Sequence, residues 1–146
     1  MKEVSIYIVS GIKSLRKQSG YIAYCLEYYP EGKKHPSTLI DVEPVEEMTG
    51  KRSELEALVR ALSRMNEKCI LSIYTDSIYL DMGLGEQRLV DKWIKNGWKS
   101  GKNVAVKNED KWKELLNLLN GTIYTIFLKQ PNAYERMLHE KIEEKG

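Results

Sequence analysis

The sequence predicts an α/β fold, in which helices cover both faces of a mixed five-stranded sheet. Three strand-like segments come first in the chain with no helix between them, which is typical of antiparallel strands joined by short connections. Two more strand-like segments follow, and each is preceded by a helical pattern, as in strands reached by crossover connections. The expected order of elements is βββαβααβα.

The three N-terminal segments are rich in β-branched and aromatic residues, and turn-forming residues bound them. Residues 4–9 predict the first strand, which Ser10 and Gly11 close. Residues 21–29 predict the second strand, and a proline stops it. Residues 38–45 predict a ragged third strand, and the prolines at its limits favour a position at the edge of the sheet.

The first helix is expected from about residue 53, where Ser53 and Glu56 fit the spacing of a capping box. Glu54 shares part of the buried stripe of this helix, whereas Glu56 is expected to point toward Arg60 and solvent. An acid aimed at the interior needs a partner or a metal ion. The alternative is a residue at the rim of the stripe, whose carboxylate reaches water. The apolar stripe itself consists of Leu55, Leu58, Val59, Leu62 and Met65.

The fourth strand is expected at residues 69–75, a nearly continuous apolar run that suits a strand covered on both faces. Asp76 ends this run. An acid at the end of a strand is a candidate ligand, but it is also a common turn former. The remaining elements are expected at residues 77–82 (a short helical turn), 89–95 and 110–120 (helices), 123–128 (the last strand) and 133–145 (the last helix).

A basic segment lies between Lys92 and Asn108, where the sequence has five lysines, no acid and two tryptophans. Lysines interleaved with aromatic residues favour contacts with nucleic acid. The alternative is a solvated loop whose tryptophans pack on the helices. Trp93 and Trp112 are expected in the core and Trp98 at a partly exposed position. The candidate nucleic-acid-binding residues are Lys95, Trp98, Lys99, Lys102 and Lys107.

Composition limits the function classes to those of an ordinary globular protein. The 146 residues, 42% of them hydrophobic, suit one domain spanning 1–146. The net charge of +2 is too small to indicate nucleic acid, so that prediction depends on the local cluster of lysines. Cys25 and Cys69 lack any motif spacing, which is typical of buried thiols in a reducing compartment. No apolar run approaches membrane-spanning length, so a cytoplasmic protein without a membrane partner is expected, and its oligomeric state stays open.

The chain resembles a type 1 ribonuclease H over essentially its whole length. The strongest match joins the end of the fourth strand (residues 75–79), the basic segment (93–99) and the start of the next helix (106–112). A weaker match covers residues 48–55, around Glu54. Several uncommon residues recur at matching spacing, which makes this resemblance specific. It implies a ribonuclease H-like sheet with the strand order 3-2-1-4-5.

The resemblance also implies an endonuclease that cuts the RNA strand of an RNA–DNA hybrid with two Mg²⁺ ions held by four carboxylates. Two of these carboxylates are present, so Glu54 and Asp76 are the expected catalytic and metal-binding residues. At the end of the first strand Ser10 replaces the family's aspartate, and on the last helix that position falls near Met137 or Leu138. The family's glycine- and histidine-bearing loop before the last helix is also missing.

These losses predict a degenerate site, because a neutral serine is a poor ligand for Mg²⁺ and apolar side chains are none. Glu54 and Asp76 are expected to hold Mg²⁺, or Mn²⁺ in its place, weakly and at a single site. Ser10 should lie near both, since the first and fourth strands should be neighbours. An acid introduced at Leu138 is expected to rebuild the fourth ligand. The nearby residues that could substitute for a missing ligand are Glu135, His139 and Glu140.

Three functions follow from this pattern. The first is a nucleic-acid-binding domain that engages an RNA–DNA hybrid or another duplex and has weak or lost metal-dependent nuclease activity. The second is an active, divergent hybrid endoribonuclease that uses a substitute ligand. The third is a non-catalytic scaffold that keeps the fold for protein contacts.

Overall fold

A computed structural model describes residues 1–146 and contains ten elements. The strands and helices follow one another as predicted, except that the short helical turn expected at residues 77–82 is a longer helix, Ile78–Leu84. Ser77 is its N-cap, and the Ser77 side chain accepts a hydrogen bond from the Leu80 amide in the first turn. The elements are β1 (Glu3–Ser10), β2 (Gln18–Tyr28), β3 (Ser37–Met48), α1 (Gly50–Ser63), β4 (Ile70–Thr75), α2 (Ile78–Leu84), α3 (Leu89–Lys95), α4 (Glu109–Leu119), β5 (Ile123–Leu128) and α5 (Glu135–Lys145).

The five strands form one mixed sheet in the order β3-β2-β1-β4-β5. The β1–β2 and β2–β3 pairs are antiparallel, whereas β1–β4 and β4–β5 are parallel. Both the α/β class and the predicted strand order are confirmed. The proline-bearing third strand lies at an edge, as expected, where a missing amide costs no ladder hydrogen bond.

Two apolar clusters cover the two faces of the sheet. Because successive side chains of a strand point to opposite faces, β1 contributes Ile6 to the larger cluster and Tyr7 to the smaller one. The larger cluster joins the sheet to α1 and α4 and includes Leu58 and the fully buried Trp112. The smaller cluster lies under α5 and includes Leu138. The central strands β1 and β4 are therefore held from both sides, with their carboxyl ends at one edge of the sheet.

The start of α1 differs from the sequence-based expectation. The helix begins at Gly50, and Thr49 is its N-cap, with the threonine side chain accepting a hydrogen bond from the Arg52 amide at 3.2 Å. Ser53 lies inside the helix and is buried, and its hydroxyl donates to the carbonyl of Gly50 at 2.6 Å. The predicted capping box at Ser53 and Glu56 is therefore wrong, because Thr49 already satisfies the amide of the first turn.

Glu56 also differs from the prediction that it points to solvent. Only 7% of this residue is exposed, because α4 packs beside α1 and brings Lys111 within 2.5 Å of Glu56 Oε1. Arg60 Nε donates to the other carboxylate oxygen at 2.8 Å. Burial raises the pKa of Glu56, but the bonds and charges of Lys111 and Arg60 outweigh burial, so its net pKa is lowered. This ion pair thus joins the two helices on the larger cluster.

The cysteines and the helix lengths bear on two further predictions from the sequence. Cys25 and Cys69 are free thiols and are both buried, as the sequence predicts. Helices that combine the length and the apolar character needed to cross a bilayer are absent.

Candidate metal and nucleic-acid site

The carboxyl ends of β1 and β4 bring Ser10 and Asp76 to the same edge of the sheet. The two strands are parallel neighbours, and their pairing, in which Tyr7 lies beside Tyr74, leaves both residues just beyond the paired region. Helix α1 completes the group, because Ser53 contacts Ser10 while Glu54 contacts the residue that follows Asp76. The expected convergence of Ser10, Glu54 and Asp76 is confirmed.

Ser10 makes hydrogen bonds that hold the start of α1 to the loop after β1. Its hydroxyl accepts from the Ile12 amide at 3.0 Å and lies 2.6 Å from the Ser53 hydroxyl. Since Ser53 donates to the Gly50 carbonyl, Ser10 donates to Ser53. The residue is 2% exposed. The hydroxyl at this strand end is therefore fully used in local structure and brings no charge to the site.

Glu54 is oriented by a hydrogen bond from the Ser77 hydroxyl. The same hydroxyl accepts from the Leu80 amide at 3.0 Å, so the first turn of α2 fixes the position of the donor. Burial raises the pKa of Glu54, and the Ser77 bond and the positive charge of Lys13 offset part of that rise. Nearby Asp76 raises the pKa further. Glu54 is thus a half-buried acid without a salt bridge, facing the Asp76 edge.

Asp76 lies with Glu135 and His139 in a group that suits a metal ion. One ligand atom from each of the three residues lies within 4.8 Å of the others, and all three residues are partly exposed. Glu135 and His139 are one helical turn apart on α5, with 4.0 Å between Oε1 and Nε2. Glu140 instead accepts a hydrogen bond from Arg136 at 3.2 Å. Two of the three suggested substitute ligands therefore face the site, and Glu140 is outside this group.

Leu138 does not face the site, which corrects the expectation that an acid there would rebuild the fourth ligand. Its side chain is fully buried in the smaller cluster, against Tyr7, Val9 and Ala23 of the sheet, and Met137 packs on the same cluster. A carboxylate at Leu138 would be surrounded by apolar side chains. The side chain of α5 that faces Asp76 is that of the next residue, His139.

We use the name basic projection for residues 92–107. The segment begins in the second half of α3, forms a short antiparallel turn in which Lys99 pairs with Ala105, and leads into α4. The five lysines of the basic projection make no salt bridge, and Lys95, Lys99, Lys102 and Lys107 are exposed. Their ammonium groups are therefore free to contact phosphate oxygens.

The rings of the three tryptophans contact one another in a chain, in which Trp93 and Trp98 belong to the basic projection and Trp112 to α4. Trp112 is fully buried, as predicted, and its ring centroid lies 5.3 Å from that of Trp93, which is only partly buried. Trp98 is partly exposed, as predicted, 6.2 Å from Trp93, and Lys113 Nζ lies 5.4 Å from its ring. Trp98 therefore packs on its neighbours while leaving part of its ring at the surface.

Arg52 fastens the end of the basic projection to the helix that contains Glu54. Its guanidinium donates to both carboxylate oxygens of Asp110, at 2.9 and 2.6 Å, and to Asn108 Oδ1 at 3.2 Å. The side-chain Nδ2 of Asn108 in turn donates to the Tyr79 hydroxyl at 3.1 Å. This pairing could not be predicted from the sequence, although Arg52 and Asp110 both lie in the matching motifs, because 58 residues separate them.

Comparisons with known proteins agree with this geometry. The RNase H family model matches residues 2–130. Ribonuclease H of Acetivibrio thermocellus is 36% identical over 120 residues, which are 82% of this chain and 76% of that protein. Ribonuclease H of Caldicellulosiruptor saccharolyticus is 40% identical over 74 residues, which are 51% of this chain. The match covers 50% of that relative, so the chain spans about half of its length.

The fold is also similar to a solved structure. The crystal structure of LC9-RNase H1, a type 1 RNase H with the type 2 active-site motif, superposes with a TM-score of 0.77. The superposition covers 99% of this chain and 72% of that chain, at 18% identity, so it bears on the fold alone. The sequence matches, which extend over most of the residues described above, establish that the chain belongs to the ribonuclease H family.

Proposed function

We propose that this chain is a ribonuclease H-like domain that binds an RNA–DNA hybrid or another nucleic-acid duplex and has weak or lost metal-dependent nuclease activity. The observation on which the proposal rests is the pairing of an intact basic projection with an incomplete set of carboxylates. We further propose that residues 1–146 form a single domain that acts in the cytoplasm.

Duplex binding is supported by the free charges of the basic projection. Each lysine that neutralises a phosphate releases counterions and contributes to affinity whatever the sequence of the duplex. Lys95, Lys99 and Lys102 extend from the surface, while the Arg52 bonds hold the projection at a set position relative to Glu54. Lys107 and Trp98 add a further charge and a partly exposed ring. A duplex on this surface would pass next to the Asp76 edge.

We use the name carboxylate edge for the end of the sheet where Glu54, Asp76, Glu135 and His139 lie. The residues there support weak or lost cleavage. Asp76, Glu135 and His139 fit one divalent ion, because the two carboxylates suit Mg²⁺ or Mn²⁺. A bound ion would neutralise charge that develops on a phosphate. Ser10 is neutral and engaged with Ser53, so the edge lacks the carboxylate expected to bridge two ions. Glu54, with its raised pKa, is the remaining acid on the α1 side.

A second candidate is an active hybrid endoribonuclease in which Glu135 and His139 replace the missing ligand. The observation that favours it is the closeness of these side chains to Asp76, within 4.8 Å. In this candidate one ion and the acidic side chains of the protein would carry out the cleavage that the family performs with two Mg²⁺ ions.

A binding and cleavage assay on a labelled RNA–DNA hybrid separates these candidates. We expect native protein to bind the hybrid in a salt-sensitive manner and to cleave it slowly or not at all in Mg²⁺ or Mn²⁺. Glu54→Gln and Asp76→Asn serve as controls for contaminating host nuclease. Robust cleavage that both substitutions abolish would favour the second candidate. A complete lack of binding to hybrid and to DNA duplex would leave the scaffold function.

A further inference from the structure

Lys13 lies three residues after Ser10 and reaches the carboxylate edge. Its Nζ is 3.8 Å from Asp76 Oδ2. Its charge also acts on Glu54, where it opposes the rise in pKa that burial causes. Its side chain is 58% exposed, so water reaches the side chain that also approaches Asp76.

The backbone around Lys13 is held in place from both sides. On one side the Ile12 amide donates to Ser10 Oγ at 3.0 Å, and the Ile12 side chain is buried. On the other side the Gly50 amide donates to the Ser14 carbonyl at 2.8 Å. A Cβ on Gly50 would lie 2.8 Å from the Ile12 carbonyl oxygen and 3.3 Å from Lys13 Cα. Only glycine lets α1 come this close, so the lysine side chain starts from a defined point beside Asp76.

The charges at the edge are consequently unlike those of a four-carboxylate site. Ser10 contributes no charge, while Glu54, Asp76 and Glu135 each contribute one negative charge when ionised. Lys13 supplies a positive charge 3.8 Å from Asp76 Oδ2 and near enough to Glu54 to act on its pKa, whereas Glu135 lies with Asp76 in the group described above. A divalent ion entering on the Lys13 side meets a like charge that is covalently part of the protein.

We propose that the Lys13 ammonium is a built-in cation of the carboxylate edge, which competes with divalent metal on the side shared by Glu54 and Asp76. It thereby restricts the edge to one weakly held ion, at Asp76, Glu135 and His139. The inference rests on the proposed function, since it concerns the same edge. Weak metal binding then has two causes, which are the repulsion from Lys13 and the lack of a carboxylate at Ser10.

Mn²⁺ binding measured by electron paramagnetic resonance tests this competition without any need for activity. Native protein is compared with Lys13→Met, with Lys13→Arg and with the matched control Lys17→Met, which removes an exposed charge from the same loop. We expect Lys13→Met to bind Mn²⁺ roughly three- to tenfold more tightly, because an exposed like charge close to a divalent ion is removed. Lys13→Arg and Lys17→Met should match the native protein. The gain should shrink at high ionic strength, because salt screens the repulsion.

The outcomes separate this inference from the function on which it rests. Unchanged or weaker Mn²⁺ binding in Lys13→Met overturns the role of Lys13, and so does the absence of binding in every variant. Adding Asp76→Asn to Lys13→Met should abolish the gain. Mn²⁺ binding that persists in that double variant would place the ion elsewhere and overturn the metal site itself. Hybrid binding, measured on the native protein, tests the nucleic-acid function independently of both results.

Discussion

Ser10 occupies the end of β1 with its hydroxyl between the Ile12 amide and the Ser53 hydroxyl. Family resemblance implies a carboxylate at this strand end. A serine retains an acceptor for the turn amide, so the local backbone is preserved, but it has no charge with which to hold an ion. The Ser53 hydroxyl on the neighbouring helix completes the hydrogen bonding of the Ser10 side chain. Ser10 thus supports the local backbone at this strand end and contributes no charge there.

We predict that Ser10→Ala lowers the free energy of unfolding by about 1–3 kcal/mol, because it leaves the buried Ile12 amide and the Ser53 hydroxyl without this partner. Urea unfolding followed by far-UV circular dichroism measures the loss. Ser19→Ala is the matched control, since Ser19 is exposed at the start of β2. Equal stability of the two variants would show that the Ser10 bonds contribute nothing to the fold.

At the scale of elements, α1 and α4 are joined by two ion pairs on the larger cluster. Glu56 lies between Arg60 and Lys111 in the buried part of the contact, while Arg52 reaches Asp110 at its exposed end. The Arg52–Asp110 pair holds the first turn of α4 against α1, and the basic projection ends just before that turn. Helix packing therefore sets the distance between the lysines and the carboxylate edge.

We predict that Asp110→Asn destabilises the protein at neutral pH and that the effect disappears in acid. The hydrogen bond from Arg52 lowers the pKa of Asp110 to about 2. A lowered pKa means that the stabilisation is complete above the ordinary value near 4 and is lost as pH falls toward 2. Solvent screening of this largely exposed carboxylate limits the loss at pH 7 to about 1 kcal/mol or less.

Urea unfolding of native and variant protein between pH 7 and pH 2 measures this difference. Glu109→Gln is the control, because Glu109 is the neighbouring acid and pairs only with Lys113 of its own helix. A constant difference between native protein and Asp110→Asn across this pH range would contradict the linkage to Arg52.

Over the whole molecule the positive and negative charges nearly balance, but unpaired lysines are concentrated in the basic projection. The net charge is only +2, yet the five lysines of the basic projection have no acidic partner. The turn between β2 and β3 also has lysines, but it lies at the opposite end of the sheet from Ser10, since β2 runs antiparallel to β1. Electrostatic attraction for a duplex should therefore be confined to one surface.

We predict that replacing Lys95, Lys99 and Lys102 with alanine weakens hybrid binding and flattens its salt dependence. The slope of log K against log salt should fall by about 0.9 for each phosphate that the protein no longer neutralises, a value that holds for duplex DNA. Fluorescence anisotropy at several salt concentrations measures both quantities. A charge-matched control replaces Lys33, Lys34 and Lys145, which are exposed elsewhere. The same slope in both triple variants would contradict a nucleic-acid role for the basic projection.

The sequence by itself determined the class of fold and most element boundaries to within a few residues. Residues 123–128 and 89–95 were predicted with the bounds that the structure has. Apolar periodicity is a local property of the chain, and so are proline stops and terminal glycines. The pair Glu54 and Asp76, the missing acid at Ser10 and the run of lysines could likewise be read directly, because residue types at matching spacing need no coordinates.

Only the tertiary structure decided which side chains meet. The docking of α4 buried Glu56, which periodicity had placed in solvent, and the cap at Thr49 moved the start of α1. The docking of α5 turned Leu138 into the core and His139 toward Asp76, although the two are adjacent in the chain. A rotation of a helix by one residue, about 100°, leaves its local pattern unchanged but exchanges the side chains that face a site. Packing sets which distant segments touch, and a linear pattern contains no measure of it.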